Sequence, residues 1–290
     1  MIIGIDLGGT KIASALATPS GKIVTDVNIP TEAAKGRKQV IANIIKSVHT
    51  LIRGQKTKIS CLGIGVPGPI LYNEGVVIEP PNLPGWKKVN LKKILEKEFQ
   101  VPVHVDNDAN CAALAEAYFG AGRNARHFIY ITISTGIGGG IIIDRKLYRG
   151  AIGAAGEFGH MIIDPAGPLC GCGNHGCFEA LASGTAIKRR SGMDAIAVEL
   201  AARQGDAKAQ AVIAETAHYL AIGIANLVNI FNPELVVLGG GVSKMRELLL
   251  DPIRAEFKKY ALKLPAKNVK IVRAKLGSES GVLGAVALCL

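Results

Sequence analysis

Residues 1–12 read MIIGIDLGGTKI, and residues 133–141 read ISTGIGGGI. Each stretch carries an apolar strand into a glycine-rich turn and then into a second strand. The same pattern therefore starts twice along the chain, which predicts a duplicated α/β unit. We place the boundary near residues 120–126, where the sequence GAGRN interrupts the periodicity. Because no low-complexity linker separates the two halves, we expect them to pack closely, with a cleft between them.

The hydrophobic periodicity places strands and helices in both halves. In the first half it predicts strands at residues 2–6, 11–17, 22–29, 59–66 and 101–105, with helices at 39–52, 91–99 and 109–119. In the second half it predicts strands at residues 128–133, 141–143, 235–238 and 269–273, with helices at 207–231, 243–260 and 281–290. We expect an N-terminal α/β domain at 1–120, completed by the helix at 281–290, and a C-terminal α/β domain at 121–280.

The composition describes a globular protein. The chain has 290 residues, of which 49% are hydrophobic and 20% are charged, and this excludes a disordered chain. Thirty-four Lys and Arg residues against 23 Asp and Glu give a net charge of +11. The lysines are scattered and form no basic stripe with interleaved aromatics, so we expect no nucleic-acid partner. An anionic small ligand or a lysine-rich surface accounts for the excess equally well.

Neither the N-terminus nor the most apolar stretch of the chain predicts a membrane protein. The N-terminus has no basic region and reaches Asp6 before any long apolar run, so it does not resemble a signal peptide. The most membrane-like stretch, residues 211–231, contains Glu215, His218, Asn226 and Asn229, which favours a buried helix over a span. We therefore expect a cytoplasmic protein without a membrane partner.

Six cysteines divide into two groups. Cys61, Cys111 and Cys289 are isolated in apolar segments, and we expect them to be inert core thiols rather than disulfides. The others lie in CGCGNHGC at 170–177, and with His160 they make a set of one histidine and three cysteines: His160, Cys170, Cys172 and Cys177. Such a set predicts a structural Zn²⁺ site without an open position for catalytic water. His175 is a weaker ligand candidate, and redox-active or inert thiols are the alternative.

The two hairpin turns are candidates for phosphate binding. In DLGGTK at 6–11, glycines let backbone N–H groups approach a phosphate, and Asp6 could hold hydrated Mg²⁺. The turn at 134–140 repeats the pattern, and together the two turns could hold a polyphosphate. Gly239, Gly240 and Gly241 follow a strand, where a base or ribose could lie on the backbone. An ordinary hairpin and a plain strand–helix turn are the alternatives. The chain contains no P-loop motif.

Three acidic segments are candidates for substrate binding. In VDNDAN at 105–110, a carboxylate at the end of a strand could orient and deprotonate a substrate hydroxyl, so we expect a substrate role for Asp108 and Asn107. Asp106 is a weaker candidate, and helix capping is the alternative for the whole cluster. Glu157 and Glu179 flank the metal loop and could accept hydrogen bonds from sugar hydroxyls, or could be surface carboxylates without a role.

Several motifs together resemble the ROK family of sugar kinases, within the actin-like ATPase superfamily: IGIDLGGTKI, VDNDANCAALAE, STGIGGGI, GAAGEFGHM, CGCGNHGCFEA, ASGTAI and LVVLGGGV. The resemblance spans most of the chain, and CGCGNHGCFEA with the upstream GEFGH is its most specific part. It implies a two-domain α/β fold of the actin-like ATPase (ribonuclease H-like) type. The activity it implies is that of an ATP-dependent hexose kinase, with Mg²⁺ and a structural Zn²⁺. PNLPGW at 81–86 and YRGAIGAAGEFGH look most like the glucokinases of the family.

The resemblance also implies individual roles. Asp108 matches the catalytic base, and the sugar-contacting positions are matched by Asn107, Glu157, His160 and Glu179. The phosphate turns are matched by Asp6, Gly8, Gly9, Thr10, Lys11, Thr135 and Gly136, and the zinc ligands by His160, Cys170, Cys172 and Cys177. We expect glucose as the sugar and a homodimer or homotetramer as the assembly. A kinase for fructose, mannose, N-acetylglucosamine or N-acetylmannosamine is the first alternative. A sugar sensor without activity is the second, although we expect no DNA-binding segment because the kinase-like core starts at Met1.

Overall fold

The computed structural model describes residues 1–55, 57–80 and 82–290. Lys56 and Pro81, the latter the first residue of the PNLPGW motif, lie outside the described residues. The strands of the described part are β1 (Ile2–Leu7), β2 (Lys11–Ala17), β3 (Ile23–Pro30), β4 (Cys61–Val66), β5 (Ile70–Leu71), β6 (Val76–Val77), β7 (Val89–Asn90), β8 (Val103–Asn107), β9 (Phe128–Ile133), β10 (Ile137–Ile143), β11 (Lys146–Tyr148), β12 (Leu235–Gly239) and β13 (Lys270–Arg273).

The α-helices of the same described ranges are α1 (Arg37–Ile52), α2 (Leu91–Phe99), α3 (Asp108–Tyr118), α4 (Phe178–Ala182), α5 (Gly184–Ser191), α6 (Ala195–Arg203), α7 (Ala207–Phe231), α8 (Glu247–Tyr260), α9 (Lys263–Asn268) and α10 (Ser280–Ala287). By its internal packing the chain forms two units. The first comprises Met1–Arg123, Leu147–Ala155 and Ser278–Leu290, and the second comprises Asn124–Lys146 and Gly156–Gly277. The domain ranges expected from the sequence stay a prediction.

The first unit is built on a five-stranded sheet in the order β3-β2-β1-β4-β8. Strands β1, β4 and β8 run parallel, whereas β1, β2 and β3 form an antiparallel meander. β4 is buried along its whole length, as expected of an inner parallel strand covered on both faces. β3, at the edge, alternates half-buried and exposed residues. Helix α1 buries one stripe in this core through Val40, Ile44, Val48 and Leu51.

Helix α10 packs against β1, β4 and α3 in the first unit. A Cβ on Gly63 of β4 would come within 1.8 Å of the Ala285 carbonyl oxygen, so only glycine allows this approach. Just beyond the helix, Cys289 forms a disulfide with Cys61 at the start of β4. The expectation that these two cysteines are inert thiols is therefore wrong. They are 228 residues apart in sequence, and only the docking of α10 brings them together. Cys111 is a buried free thiol, as expected.

The second unit contains a sheet in the order β11-β10-β9-β12-β13. β9 pairs antiparallel with β10 and parallel with β12, repeating the strand–turn–strand start of the first unit. Helix α7 lies in the core of this unit and packs against α8, α6 and α4. By length and composition α7 could cross a membrane, but 61% of its most apolar window is buried against the rest of the protein. This burial agrees with the core helix predicted from its polar residues.

The predicted elements of the first half all occur, with ends shifted by at most two residues. In the second half the closing helix expected at 281–290 ends at Ala287. Two further expectations are wrong. The glycine turn expected at 134–140 is shorter, because β10 already begins at Ile137. The helix expected at 243–260 is divided, because Arg246 has a φ of 53° between the 3-10 turn Val242–Met245 and α8. The sequence also did not predict α4, α5, α6, α9, β11 or the small β5-β6-β7 sheet.

Candidate functional site

The first unit brings two acidic segments to one edge of its sheet. Strands β1, β4 and β8 run parallel, so their carboxyl ends meet there. The register pairs Asp6 with Gly65 and Gly65 with Asp106. The start of α3 follows directly, with Asp108 as its first residue. The edge therefore gathers three carboxylates in the crevice position where α/β sheets bind ligands.

Asn107 caps helix α3. Its side-chain oxygen accepts hydrogen bonds from the backbone N–H groups of Ala109 at 2.9 Å and Asn110 at 3.4 Å. Its amide nitrogen donates to the Gly68 carbonyl at 3.2 Å, which uses one of its two N–H donors. The capping alternative therefore holds for Asn107. A second N–H remains on the same nitrogen for a ligand.

Asp108 has an exposed carboxylate at the N-terminus of α3. One of its oxygens accepts a hydrogen bond from the backbone N–H of Ala109 at 2.8 Å. A helix N-terminus favours the ionised form of an acidic side chain. Asp108 thus combines accessibility with a fixed backbone, which is what a proton acceptor for a bound hydroxyl needs.

Asp106 differs from its neighbour because its side chain is only 1% exposed. Its carboxylate bonds internally to the backbone of Asn107, to the Asn110 side chain and to Arg149. Asp106 is therefore a structural acceptor beneath the surface. Sequence reasoning missed Arg149, since an arginine 43 residues away in sequence carries no motif that links it to this edge.

The charges around Cys111 show how closely the carboxylates gather. Burial raises the pKa of the Cys111 thiol well above its usual value, and the negative charges of Asp106, Asp108 and Asp6 raise it further. Burial also raises the pKa of Asp6, while the positive charge of Lys11 opposes that shift. Carboxylate oxygens at a strand end are ligands that hydrated Mg²⁺ takes, so the donor set fits that ion.

The turn between β1 and β2 is a hairpin that hydrogen bonds from Thr31 hold in place. The Gly8 N–H donates to the Lys11 carbonyl at 3.0 Å. Thr31 binds the turn twice, because its hydroxyl donates to the Gly8 carbonyl at 2.6 Å and its N–H to the Thr10 carbonyl at 2.9 Å. Thr10 and Lys11 are exposed. The turn has the glycines and the lysine of a phosphate-binding loop in the first unit.

Two glycine turns lie at the same end of the second unit's sheet. The turn after β9 is held by α5: Gly184 N–H donates to the Ser134 carbonyl at 2.7 Å, and the Thr185 hydroxyl donates to the Thr135 carbonyl at 2.8 Å. Gly240, with a φ of +83°, packs so closely on Ile133 that a Cβ would lie 2.3 Å from its carbonyl oxygen. The segments expected to hold phosphates (Thr135 and Gly136) and a base or ribose (Gly239, Gly240 and Gly241) are thus neighbours.

The four predicted metal ligands form one cluster. The ligand atoms of His160, Cys170, Cys172 and Cys177 all lie within 4.8 Å of one another. The Sγ atoms of Cys172 and Cys177 are 3.6 Å apart, and His160 Nδ1 lies 3.7 Å from Cys170 Sγ. Tetrahedral zinc with bonds of about 2.3 Å to sulfur separates its ligands by about 3.8 Å, so the donor set fits that ion. His175 instead contacts the Gly167 carbonyl through Nδ1 at 3.1 Å.

The sugar-contact candidates of the second unit belong to this cluster or lie within three residues of it in the sequence. His160 is exposed and turns Nδ1 toward Cys170, which leaves Nε2 on the opposite side of its ring. Glu157 is exposed at the start of the 3-10 turn Phe158–His160. Glu179 is half-buried in α4, with Oε2 accepting a hydrogen bond from the Ile137 N–H at 2.8 Å and Oε1 4.0 Å from Cys170 Sγ. The imidazole of His160 and the carboxylates of Glu157 and Glu179 can all form hydrogen bonds with hydroxyl groups.

Comparisons with known proteins agree with this architecture. The sequence model of the ROK family matches residues 2–290. A glucokinase of Halalkalibacterium halodurans is 39% identical, over 97% of this chain and 92% of that protein. A xylose repressor of Caldicellulosiruptor bescii is 36% identical, over 100% of this chain and 78% of that protein. The crystal structure of a ROK family glucokinase from Streptomyces griseus, in complex with glucose and AMPPNP, aligns with a TM-score of 0.85 at 36% identity, covering 99% of this chain and 98% of that one.

These matches confirm the α/β fold of the actin-like ATPase type that the motifs implied. They extend over nearly the whole chain, and so include each of the segments described above. On the strength of that full-length match, the chain belongs to the ROK family.

Proposed function

We propose that this chain is an ATP-dependent hexose kinase that phosphorylates the 6-hydroxyl of glucose. The observation that supports it most is the placement of Asp108, an exposed carboxylate at the start of α3 beside two further carboxylates of the same sheet edge. The similarity to a glucokinase over 97% of the chain supports the same assignment.

Asp108 is the proposed general base. Phosphoryl transfer passes through a loose transition state in which positioning and electrostatics supply most of the catalysis. Asp108 accepts the proton of the sugar's 6-hydroxyl as the oxygen–phosphorus bond forms and the bond from the γ-phosphorus to the bridging oxygen of ADP breaks.

The nucleotide is assigned to the glycine turns. Gly8, Gly9, Thr10 and Lys11 form the proposed phosphate turn of the first unit, in which the Gly8 N–H is bonded to the Lys11 carbonyl and the Lys11 side chain supplies one positive charge. Thr135 and Gly136 are the proposed phosphate turn of the second unit. Gly239, Gly240 and Gly241 accommodate the base or ribose. Asp6 is the proposed carboxylate ligand of a Mg²⁺ bound with ATP, and that ion would offset the phosphate charge.

The sugar is assigned to polar side chains with little bulk: Asn107, Glu157, His160 and Glu179, in addition to Asp108. A structural Zn²⁺ held by His160, Cys170, Cys172 and Cys177 would fix the tautomer of His160, so that its other nitrogen donates to a hydroxyl. Polar groups that read hydroxyls are left unpaired by the wrong sugar, and this penalises analogues strongly. An N-acetyl group at the 2-position would need an apolar recess, which these residues do not supply.

A sugar-binding regulator without catalysis is the second candidate. It is favoured by the 36% identity to a xylose repressor along the whole of this chain. Such a protein would bind its sugar through the same side chains and would have no use for a positioned base. The two candidates therefore differ in turnover and agree in sugar binding.

We also propose a cytoplasmic homodimer or homotetramer that binds neither nucleic acid nor membranes. The absence of a basic stripe in the sequence supports the proposal that the protein does not bind nucleic acid. Light scattering coupled to size-exclusion chromatography measures the assembly directly.

The experiment that tests the function is a coupled assay over a panel of sugars with ATP. We expect the highest kcat/KM for glucose, followed by mannose and glucosamine, which keep a small polar group at the 2-position. A higher value for fructose, N-acetylglucosamine or N-acetylmannosamine would make the sugar assignment wrong and leave the kinase assignment in place. Sugar binding without turnover of any member of the panel would favour the regulator.

A further inference from the structure

We propose that Arg149 is a positioning residue for phosphoryl transfer: through Asp106 it holds the start of helix α3, and thereby the aim of Asp108. This inference rests on the proposed function, because it assigns Arg149 a part in placing that function's base. Arg149 stands in the stretch YRGAIGAAGEFGH, which resembles the glucokinases, but neither the motifs nor the family resemblance gave it a role.

The first step is an ion pair between a buried carboxylate and a half-buried guanidinium. Arg149 Nε donates to Asp106 Oδ2 at 2.8 Å, and the side chains of these residues are 23% and 1% exposed. Charge-assisted hydrogen bonds of this length are about twice as strong as neutral ones. With one carboxylate oxygen committed to Arg149, the orientation of Asp106 is fixed.

The second step leads from Asp106 to the helix. Its other oxygen, Oδ1, accepts hydrogen bonds from the Asn107 backbone N–H at 2.8 Å and from Asn110 Nδ2 at 2.9 Å. Asn107 is the N-cap of α3, and Asn110 lies in its first turn. The Asp106 carboxylate therefore links the Arg149 guanidinium to Asn107 and Asn110, which lie on either side of Asp108 in the sequence.

The third step fixes Arg149 itself. Its guanidinium carbon lies 3.8 Å from the ring centroid of Tyr72, a cation–π stack. The segment that carries it, Leu147–Ala155, packs as part of the first unit although its neighbours in sequence belong to the second. In this segment a Cβ on Gly153 would lie 3.0 Å from the Ile70 carbonyl oxygen and 3.1 Å from Tyr72 Cβ. The loop therefore packs against β5 and against Tyr72, the residue that stacks on Arg149. Arg149 is held on two sides.

A stabilising role alone accounts poorly for this arrangement. Replacing a buried ion pair by apolar side chains of similar volume is often neutral or stabilising, so such a pair is a weak source of stability. Its directional bonds are what apolar side chains cannot reproduce. Phosphoryl transfer depends on placement, and a base displaced by about 1 Å can cost on the order of 100-fold in rate. The arrangement therefore suits orientation of Asp108 better than stability.

The test compares Arg149→Lys and Arg149→Met with Arg254→Met as the control. Lysine keeps the charge beside Asp106 and loses the planar, stacked guanidinium. Arg254→Met also removes an ion pair, to Asp251 at 3.2 Å, and two hydrogen bonds to the Ile271 carbonyl, at 2.8 and 3.1 Å. None of these residues belongs to the proposed catalytic or binding machinery. Thermal melts measure how much each change destabilises the protein.

We expect Arg149→Lys to lower kcat for glucose roughly 10-fold and Arg149→Met roughly 100-fold, because placement of the base is lost. KM for ATP should stay within about threefold, since the glycine turns are untouched, and Arg254→Met should keep its kcat at a temperature well below its melting point. If Arg149 acts through Asp106, the double variant Asp106→Asn with Arg149→Met should be no slower than the slower single variant, apart from a factor of about three.

Folded Arg149→Lys with wild-type kcat would overturn the inference, as would additive losses in the double variant. If Arg149→Met does not fold, Arg149→Lys and Asp106→Asn provide the test: each should lower kcat and leave KM for ATP nearly unchanged. Failure of the proposed function is recognised separately: wild-type protein would then phosphorylate no hexose, and both proposals would fall.

Discussion

The carboxylate of Glu179 accepts a hydrogen bond from the backbone N–H of Ile137, with 2.8 Å between Oε2 and the nitrogen. Glu179 follows the last metal-cluster cysteine, Cys177, by two residues, and Ile137 follows the turn formed by Thr135 and Gly136. A Cβ on Gly136 would lie only 2.1 Å from Glu179 Oε2. A single side chain thus connects the metal loop to the turn proposed to bind phosphates.

The first prediction concerns this contact. Glu179→Ala should raise KM for ATP roughly tenfold, because a hydrogen bond to a charged group contributes about 1.5–3 kcal/mol and the turn loses its anchor. Glu179→Gln keeps an acceptor for Ile137 and should recover part of the ATP affinity. Steady-state kinetics with ATP as the varied substrate measure both. Glu199→Ala, which loses an exposed ion pair to Arg203, is the control. Equal KM values for ATP in wild type and Glu179→Ala would refute the coupling.

The second prediction concerns zinc. We expect about one Zn²⁺ per purified chain, as a closed set of one histidine and three cysteines implies. Cys172→Ser should lose the ion, melt at a lower temperature and bind glucose more weakly, because the loop bearing His160 and Glu179 loses its anchor. Elemental analysis and thermal melts measure the first two effects, and calorimetry the third.

His175→Ala is the matched control for that experiment. His175 lies in the same loop and contacts the Gly167 carbonyl rather than the cluster. We expect this variant to keep its zinc and its glucose affinity. Zinc-free protein with full activity and unchanged stability would show that the cluster holds no functional metal.

The metal cluster illustrates what sequence can predict. Its ligands occupy a short stretch, with three cysteines within eight residues and His160 ten residues earlier, so local spacing brings them together. The strand–glycine turns are equally local, because each strand leads directly into its turn. Asn107 and Asp108 also follow this rule, since a strand end and a helix start are neighbours in the chain. In such patterns the residues are close in sequence, so local structure alone places them together.

The third prediction concerns the disulfide between Cys61 and Cys289. A disulfide stabilises by typically 2–4 kcal/mol, so reduction should lower the melting temperature by roughly 5–10 °C. Cys289→Ser should show the same decrease and no further response to reductant. Thiol counting under denaturing conditions should find four free cysteines in unreduced protein, in agreement with Cys111 and the three of the metal loop. Six free thiols and a melting temperature indifferent to reductant would contradict the bond.

The disulfide and Arg149 show what the sequence did not reveal. Cys61 lies 228 residues from Cys289, and Arg149 lies 43 residues from Asp106. Each pairing depends on how distant segments dock, which hydrophobic periodicity does not specify. The broken helix at Arg246 is a similar case, because a positive φ at an arginine has no local sequence signal.

The last prediction concerns the base. Asp108→Asn keeps the shape of the side chain and its hydrogen-bonding capacity but removes its proton-accepting carboxylate. We expect kcat to fall by on the order of 10²–10⁴-fold, the usual contribution of general acid–base catalysis, while calorimetry still detects glucose binding. Near-wild-type turnover in this variant would remove Asp108 from the role.

The most direct measurement of the central proposal is product identification with wild-type protein, MgATP and glucose. Phosphorus NMR of the reaction should show one ADP and one glucose 6-phosphate for each ATP consumed, and the same mixture with Asp108→Asn should form both far more slowly. ATP hydrolysis without a sugar phosphate, or no consumption of ATP in the presence of any hexose, would contradict the assignment of this chain as a hexose kinase.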